Sequence, residues 1–291
     1  MIEFRRGGDN LKILTDYKCY IGEGPIWNEN DNTLYHVNAG KNEIICIDFS
    51  NMSREVLVFD QDISSLCFTI DNQIIGILED NVSYIKERCR FDSVLHGKSS
   101  IFYGNDAKCG PDGRLYVGTQ SRKRQNISDD IDGKLYQIDK NGMIKVLLDG
   151  LILSNGMDWN MREDRFYHTD SDTKTIKEYE FDINSGDILA TGRSVYLPGV
   201  DGFTVDQNDV IWAACWGKGI VAGIDTCSMK ITDELVVPTK IPVSCSFCGR
   251  DMEYLAITSA GLDKKDGSDP LAGFTFLEKM ATPGRVPYRF G

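Results

Sequence analysis

The chain has 291 residues, 41% of them hydrophobic, and no apolar stretch approaches the roughly 20 residues that cross a bilayer. Its formal net charge of -12 opposes binding to phosphate backbones or to anionic lipid surfaces. The composition therefore argues against nucleic-acid and membrane partners. The first ten residues lead into no continuous apolar segment or cleavage site, so we identify no secretory signal and predict a cytoplasmic protein.

Short β-type segments recur along the whole chain, each rich in aliphatic and aromatic residues and closed by a Gly, Asn or Asp turn. In chain order they are LYHVN, IIGILE, LYVGT, FYHTD, IWAAC and YLAIT. Their first residues, which we call the repeat markers, are 40, 41, 51, 45 and 43 residues apart, at Leu34, Ile74, Leu115, Phe166, Ile211 and Tyr254. Six units near this period predict an all-β fold, a six-bladed β-propeller that forms a single domain over residues 1–291.

The enlarged step of 51 residues contains a polar segment, residues 121–132. A basic run at Arg122, Lys123 and Arg124 is followed there by aspartates at positions 129, 130 and 132. Charge runs are typical of exposed surface, which predicts a solvated loop. A lid over the mouth of the channel is the alternative.

Cysteine and histidine offer other candidate sites. The nine cysteines are an odd number in a chain large enough to form a core without disulfides, which predicts reduced packing residues. Cys245 and Cys248 have the spacing of a redox motif or half a zinc site, but no second such pair exists. The three histidines are His36, His96 and His168, and two of them occupy the same place in different repeats, which favours strand packing over a catalytic triad.

A polar residue precedes every repeat marker by ten or eleven positions. The six residues are Glu23, Ser64, Asn105, Asn155, Asp201 and Ser244. The innermost strands of a propeller line its channel, so residues at matching positions converge on one axis. The two carboxylates and the amide of Asn155 offer hard oxygen donors for a divalent cation, and Asn105 adds a carbonyl or holds a metal-bound water. The alternative is that these residues cap turns, which we favour for the two serines.

Several of these segments together resemble the regucalcin, senescence marker protein and gluconolactonase family. The resemblance runs through GEGPIW, NDAKCGPDGRLYVGT, SNGMDWN, FYHTDSDTKTIKEYEFD, DGFTVDQNDVIWAACWGKGIV, PVSCSFCG and LAGFTF, which span nearly the whole chain. The family contains metal-dependent sugar lactonases built as six-bladed propellers. The resemblance therefore implies a metal-dependent ester hydrolase whose substrate is a small sugar lactone.

The resemblance also implies roles for individual residues. Glu23, Asn155 and Asp201 match the metal ligands of the family, and Asp201 is the implied general base. Asn105 matches an asparagine near the metal and substrate. Where many members carry a substrate-binding arginine, this chain has Tyr103, which predicts an altered substrate preference.

One divalent metal ion is the implied cofactor. Calcium is favoured, while zinc, magnesium, manganese and iron remain alternatives for a set of three protein ligands. Two other functions stay open at this point: a phosphotriesterase-like hydrolase of the diisopropylfluorophosphatase type, and a non-catalytic calcium-binding propeller.

Overall fold

The structure is a computed structural model that describes residues 2–3, 11–86, 90–93, 103–124, 126–262 and 267–291. Cys89 and His96 lie outside the described residues. Six antiparallel sheets account for almost all regular structure there, and the only helix among those residues is the 3-10 turn Ser171–Thr173. No helix in the described ranges is long and apolar enough to span a membrane.

Five of the sheets are four-stranded blades formed by consecutive strands. Blade one contains β3 (Ile21–Asn28), β4 (Thr33–Ala39), β5 (Glu43–Asp48) and β6 (Ser53–Val58). Blade two contains β7 (Ile63–Phe68), β8 (Ile74–Leu78), β9 (Val82–Lys86) and β10 (Arg90–Ser93). Blade three contains β11 (Gly104–Cys109), β12 (Leu115–Thr119), β13 (Gly133–Ile138) and β14 (Ile144–Leu151).

The next two blades follow the same pattern. Blade four contains β15 (Ser154–Trp159), β16 (Arg165–Asp170), β17 (Thr175–Asp182) and β18 (Asp187–Tyr196). Blade five contains β19 (Val200–Val205), β20 (Val210–Cys215), β21 (Ile220–Asp225) and β22 (Lys230–Val236). All six repeat markers lie in the second strand of a blade, so the predicted repeat is confirmed.

Blade six joins the two ends of the chain. Its strands are β23 (Pro242–Cys248), β24 (Tyr254–Ser259), β25 (Phe276–Lys279), β2 (Lys12–Ile13) and β1 (Ile2–Glu3). The pairing of β2 with β25 closes the ring across the two ends of the chain. Because closure leaves no blade without two neighbours, the predicted six-bladed β-propeller is confirmed.

The inner strand of each blade is the first, except that blade six begins with β23. The inner strands contact one another in a closed cycle, β3 to β7, β11, β15, β19, β23 and back to β3. The large buried side chains, such as Trp27 and Trp159, fill the space between blades. Tight turns connect inner to second strands, as where Asn32 takes a left-handed φ of 60° between β3 and β4.

The C-terminal segment crosses the face of the propeller that carries these inner turns. Gly284 bridges to Asp206 of blade five, and Phe290 bridges to Thr69 of blade two. Arg285 donates to the carbonyl of Trp159 at 2.8 Å and pairs with the buried carboxylate of Asp158. One end of the channel is therefore covered by the chain itself.

Candidate functional site

A cavity of about 680 Å³ opens at the other end of the channel, where the inner strands begin. Five of the six predicted ring residues line it, namely Glu23, Ser64, Asn105, Asn155 and Asp201. Tyr103 lines it as well, just before β11. The structure therefore brings together all the residues for which the sequence predicted a site role.

Each inner strand has a β-bulge near the level of its ring residue. The register between inner and second strand shifts from Glu23 to Ile26 in blade one and from Gly104 to Ala107 in blade three. The same shift recurs at the corresponding level of the other four blades. The shift encloses the ring residue in blades two, three and five and begins directly after it in blades one and four. A bulge changes the direction of nearby side chains, which fits the turn of these residues toward the axis.

Ser244, for which the sequence favoured a structural role over a site role, is the one residue of the six that does not line this cavity. In β7 the register shift brackets Ser64, whereas in β23 it brackets Val243. Val243 is fully buried among apolar side chains, so blade six contributes no polar residue to the ring. Ser244 corresponds instead to Ser65, and both line a second cavity of about 50 Å³ deeper in the channel.

Without a nearby positive charge, the ionised forms of Glu23 and Asp201 are unfavourable at this site. Burial, followed by the negative charges of Asp201 and Asp106, raises the pKa of Glu23 well above its usual range. Burial and then the charge of Asp106 raise the pKa of Asp201 to about 8, while the positive charge of Arg124 opposes this rise. A divalent cation would remove the repulsion that these neighbours create.

The donor set fits such a cation. Asp201 Oδ1 is buried and has no hydrogen-bond partner within the described part of the chain. Asn155 Oδ1 accepts one hydrogen bond and keeps a second lone pair for a ligand. No group of three His, Cys, Asp or Glu side chains suited to a metal occurs among the described residues, so the set depends on this amide. Carboxylate and amide oxygens are the ligands that calcium and magnesium prefer.

A chain of side-chain amides fixes the orientation of Asn155. Gln120 Nε2 donates to Asn105 Oδ1 at 3.0 Å, and Asn105 Nδ2 donates to Asn155 Oδ1 at 2.9 Å. Asn155 Nδ2 in turn donates to Ser171 Oγ at 2.9 Å, and this hydroxyl donates to the carbonyl of Val200 at 2.7 Å. Each donor is thereby assigned a partner, and the amide oxygen of Asn155 cannot exchange places with its nitrogen without losing two hydrogen bonds.

The sequence analysis did not identify Gln120, Ser171 or Trp216 as site residues. Each directly follows the second strand of its blade, five positions after the repeat marker. The same forward step in the blades one to five selects a second ring of cavity-lining residues, Ala39, Glu79, Gln120, Ser171 and Trp216. A step of five residues forward from each repeat marker would therefore have predicted this second ring from the sequence.

Salt bridges link the two ends of segment 121–132. Arg122 pairs with Asp130 at 2.9 Å and with Asp132 at 2.6 Å. The side chain of Arg124 lines the cavity, although the residue is otherwise exposed. The described residues of this segment, 121–124 and 126–132, thus form a solvated loop, as predicted, and Arg124 also lines the cavity.

The other candidate sites do not form. Cys245 and Cys248 are both buried and lie three residues apart on β23, so their side chains point to opposite faces of the sheet. Among the described residues every cysteine is free. Burial lowers the pKa of His36 and of His168 to about 4, and both are neutral packing residues, as predicted.

Fold and cavity together define a six-bladed β-propeller with an oxygen-rich, acidic centre at one mouth of its channel. The sequence profile of the family described as "SMP-30/Gluconolactonase/LRE-like region" matches residues 21–261. The chain belongs to this family, which confirms the resemblance seen in the sequence motifs.

Individual relatives cover nearly the whole chain. The Bacillus subtilis protein named "Putative sugar lactone lactonase YvrE" is 31% identical over 96% of this chain and 97% of its own length. Pentonolactonase XacC of Haloferax volcanii is 28% identical, with 95% and 96% covered. Regucalcin of Danio rerio is 28% identical, with 96% and 98% covered.

Solved structures share the fold. A luciferin-regenerating enzyme superposes with a TM-score of 0.88 at 21% identity, covering 97% of this chain and 99% of its own. The calcium-binding protein regucalcin from Agrobacterium tumefaciens gives a TM-score of 0.86 at 23% identity, with 96% of both chains covered. At these identities the likeness establishes the propeller architecture alone.

Proposed function

We propose that the chain is a metal-dependent hydrolase that opens a sugar lactone. The observation that carries the proposal is the buried, unpartnered Oδ1 of Asp201 beside Glu23 and Asn155 in an open cavity. A volume of about 680 Å³ lies within the roughly 300–1,000 Å³ typical of small-molecule sites. The lactonase names of two relatives support the same reaction. A cytoplasmic location is part of the proposal, supported by the absence of disulfides among the described residues.

Glu23, Asn155 and Asp201 would hold one divalent ion, with calcium favoured by the all-oxygen donor set. When bound, the ion supplies Lewis acidity that stabilises the oxyanion formed during attack on the lactone carbonyl. The amide chain from Gln120 to Ser171 keeps the oxygen of Asn155 directed toward the site. The protein's part is therefore to hold hard oxygen ligands in a fixed arrangement before substrate enters.

Proton transfer is assigned to Asp201. Its carboxylate accepts the proton of the attacking water as the new carbon–oxygen bond forms. The ring oxygen then leaves as the hydroxyl of the open hydroxy acid, taking up a proton. Asn105 and Tyr103 contact the substrate, and the aromatic faces of Tyr103 and Trp216 offer surfaces against which a sugar ring packs.

The variant Asp201→Asn tests this assignment, because it keeps an oxygen ligand and removes the base. We expect turnover of aldonolactones to fall by at least a hundredfold, roughly the contribution of a general base, while metal affinity falls less. Glu79→Gln is the matched control, since Glu79 is a cavity-lining carboxylate outside the ligand set. Unchanged turnover in Asp201→Asn would exclude this residue as the base.

A further inference from the structure

Arg124 is a cavity-lining cation whose side chain has no hydrogen-bond or salt-bridge partner among the described residues. Its side chain lines the cavity, yet its guanidinium makes no hydrogen bond or salt bridge within the described part of the chain. Its positive charge reaches Asp201, whose pKa it lowers. An arginine offers five donors in a planar fork, and this arginine belongs to the lining of the cavity.

The loop holds the backbone of Arg124 in place. The amide of Arg124 donates to Ser121 Oγ at 3.2 Å, and the amide of Ser121 donates to the carbonyl of Ile152 at 2.9 Å. Lys123 donates from its amide to the carbonyl of Asp130 at 3.2 Å, across the loop. A fixed backbone lowers the entropic cost of binding a ligand through this side chain.

Charge is distributed unevenly around the mouth of the cavity. Arg124 on blade three and Lys174 on blade four are the basic residues that line it. Asp62 and Glu79, from blades one and two, lie on the other side, and Asp172 shares a turn with Lys174. A ligand with one negative group is therefore attracted to the side of blades three and four.

Resting on the proposed lactonase function, we propose that the substrate is a lactone bearing an anionic substituent, which Arg124 binds with support from Lys174. The shared chemistry is that of a carboxylate or a phosphate at the end of the sugar away from the lactone carbonyl. Both groups match the guanidinium fork in a two-point, charge-assisted hydrogen bond. Arg124 would then determine specificity in a site where position 103 is a tyrosine.

Equilibrium binding of stable open-chain acids tests the proposal without turnover. Calorimetry on the metal-loaded protein would compare gluconate with glucarate, which carries a second carboxylate, and with 6-phosphogluconate, which carries a phosphate. We expect one of the two doubly anionic ligands to bind at least about tenfold more tightly than gluconate. The tighter of the two identifies the anionic group as a carboxylate or a phosphate.

Arg124→Gln should abolish this preference, because it weakens binding of the ligand with the second anionic group by more than it weakens binding of gluconate. Lys123→Gln is the matched control, because it removes an equal charge from the same loop at a side chain that does not line the cavity. Arg124→Lys should keep part of the preference, since it retains the charge and loses the fork. Equal binding of all three acids, or equal effects of the glutamine variants at 123 and 124, would overturn the proposal.

Hydrolysis of the corresponding lactones separates this proposal from the function on which it rests. Turnover of neutral and anionic lactones with equal kcat/KM would overturn the specificity and leave the lactonase function standing. Absence of turnover with every lactone, together with a glucarate or phosphogluconate preference that Arg124→Gln removes, would overturn the lactonase function and retain the anion site.

Discussion

Individual side chains at the site are held by hydrogen bonds rather than by the strand geometry alone. Ser171 accepts from Asn155 Nδ2 and donates to the carbonyl of Val200, so it links the inner strands of blades four and five. Neither hydrogen bond could be predicted from the order of residue types in the sequence. Ser171 comes from a turn after the second strand, and its contribution depends on where that turn closes over the channel.

Ser171→Ala should therefore weaken metal binding at the proposed site without unfolding the protein. The amide nitrogen of Asn155 loses its partner, and the ligand oxygen becomes free to turn away. We expect metal affinity to fall by about ten- to a hundredfold, as when outer partners of metal ligands are removed. Calorimetric titration with calcium measures it. Ser50→Ala, in an exposed turn between β5 and β6 of blade one, is the control and should leave affinity unchanged.

Prediction from sequence worked best for residues that repeat. Four site residues were identified because a step of ten or eleven residues back from each marker reaches a similar level in each blade. They are Glu23, Asn105, Asn155 and Asp201. In blade six a step of ten residues selects Ser244, whereas a step of eleven selects Val243. Only the position of the β-bulge decides between neighbours, and bulges leave no clear mark in the sequence.

The site depends on a close approach between neighbouring inner strands, here β15 and β19. Gly156 of β15 faces β19 so closely that a β-carbon there would lie 2.2 Å from Phe203 Cδ1 and 2.5 Å from the carbonyl oxygen of Asp201. Blades four and five can meet at this distance because position 156 has no side chain. The glycine therefore sets the spacing between two strands that carry proposed ligands.

Gly156→Ala should separate these blades. We expect the free energy of unfolding to fall by about 1–3 kcal/mol, the cost of overpacking, and metal affinity to fall with it because Asp201 moves. Chemical denaturation and calcium titration measure the two effects. Gly76→Ala is the control, because its β-carbon would approach no atom more closely than the flexible end of Ile85, at 3.3 Å. If Gly156→Ala matched the control in both measurements, the proposed coupling would be wrong.

The strands of the six blades were predictable because their apolar segments recur with a nearly constant period. The two strands at the start of the chain, β1 and β2, were not predicted. Each has two residues, too few to show an alternating pattern, and their pairing in blade six joins residues more than 260 positions apart. The pairing of β2 with β25 depends on the folding of the whole ring, which brings these distant segments together.

At the scale of the molecule, the C-terminal segment connects blades that are distant in sequence. Arg285 reaches Asp158 of blade four, which also pairs with Lys108 of blade three at 2.9 Å. The carboxylate of Asp158 is buried, and the positive charges of Arg285 and Lys108 hold its pKa below the usual range against the effect of burial. A single-domain ring remains a prediction, and these contacts supply a direct test of it.

Arg285→Met should destabilise the whole ring. It leaves Asp158 buried with only one cationic partner, and removal of one member of a buried ion pair typically costs about 3–5 kcal/mol. For one cooperative domain, thermal unfolding should shift to lower temperature as a single transition. Arg162→Met, at an exposed surface pair, is the control and should shift it little. Two separate transitions would contradict the single-domain prediction.

The central claim is that the channel centre hydrolyses sugar lactones with a bound metal. Hydrolysis of five- and six-membered aldonolactones, followed with a pH indicator, should be measured on chelated protein and after adding back single metals. We expect no turnover by chelated protein and restored turnover with calcium or another single divalent ion. Tight metal binding with no turnover of any lactone would contradict it and identify a binding protein instead.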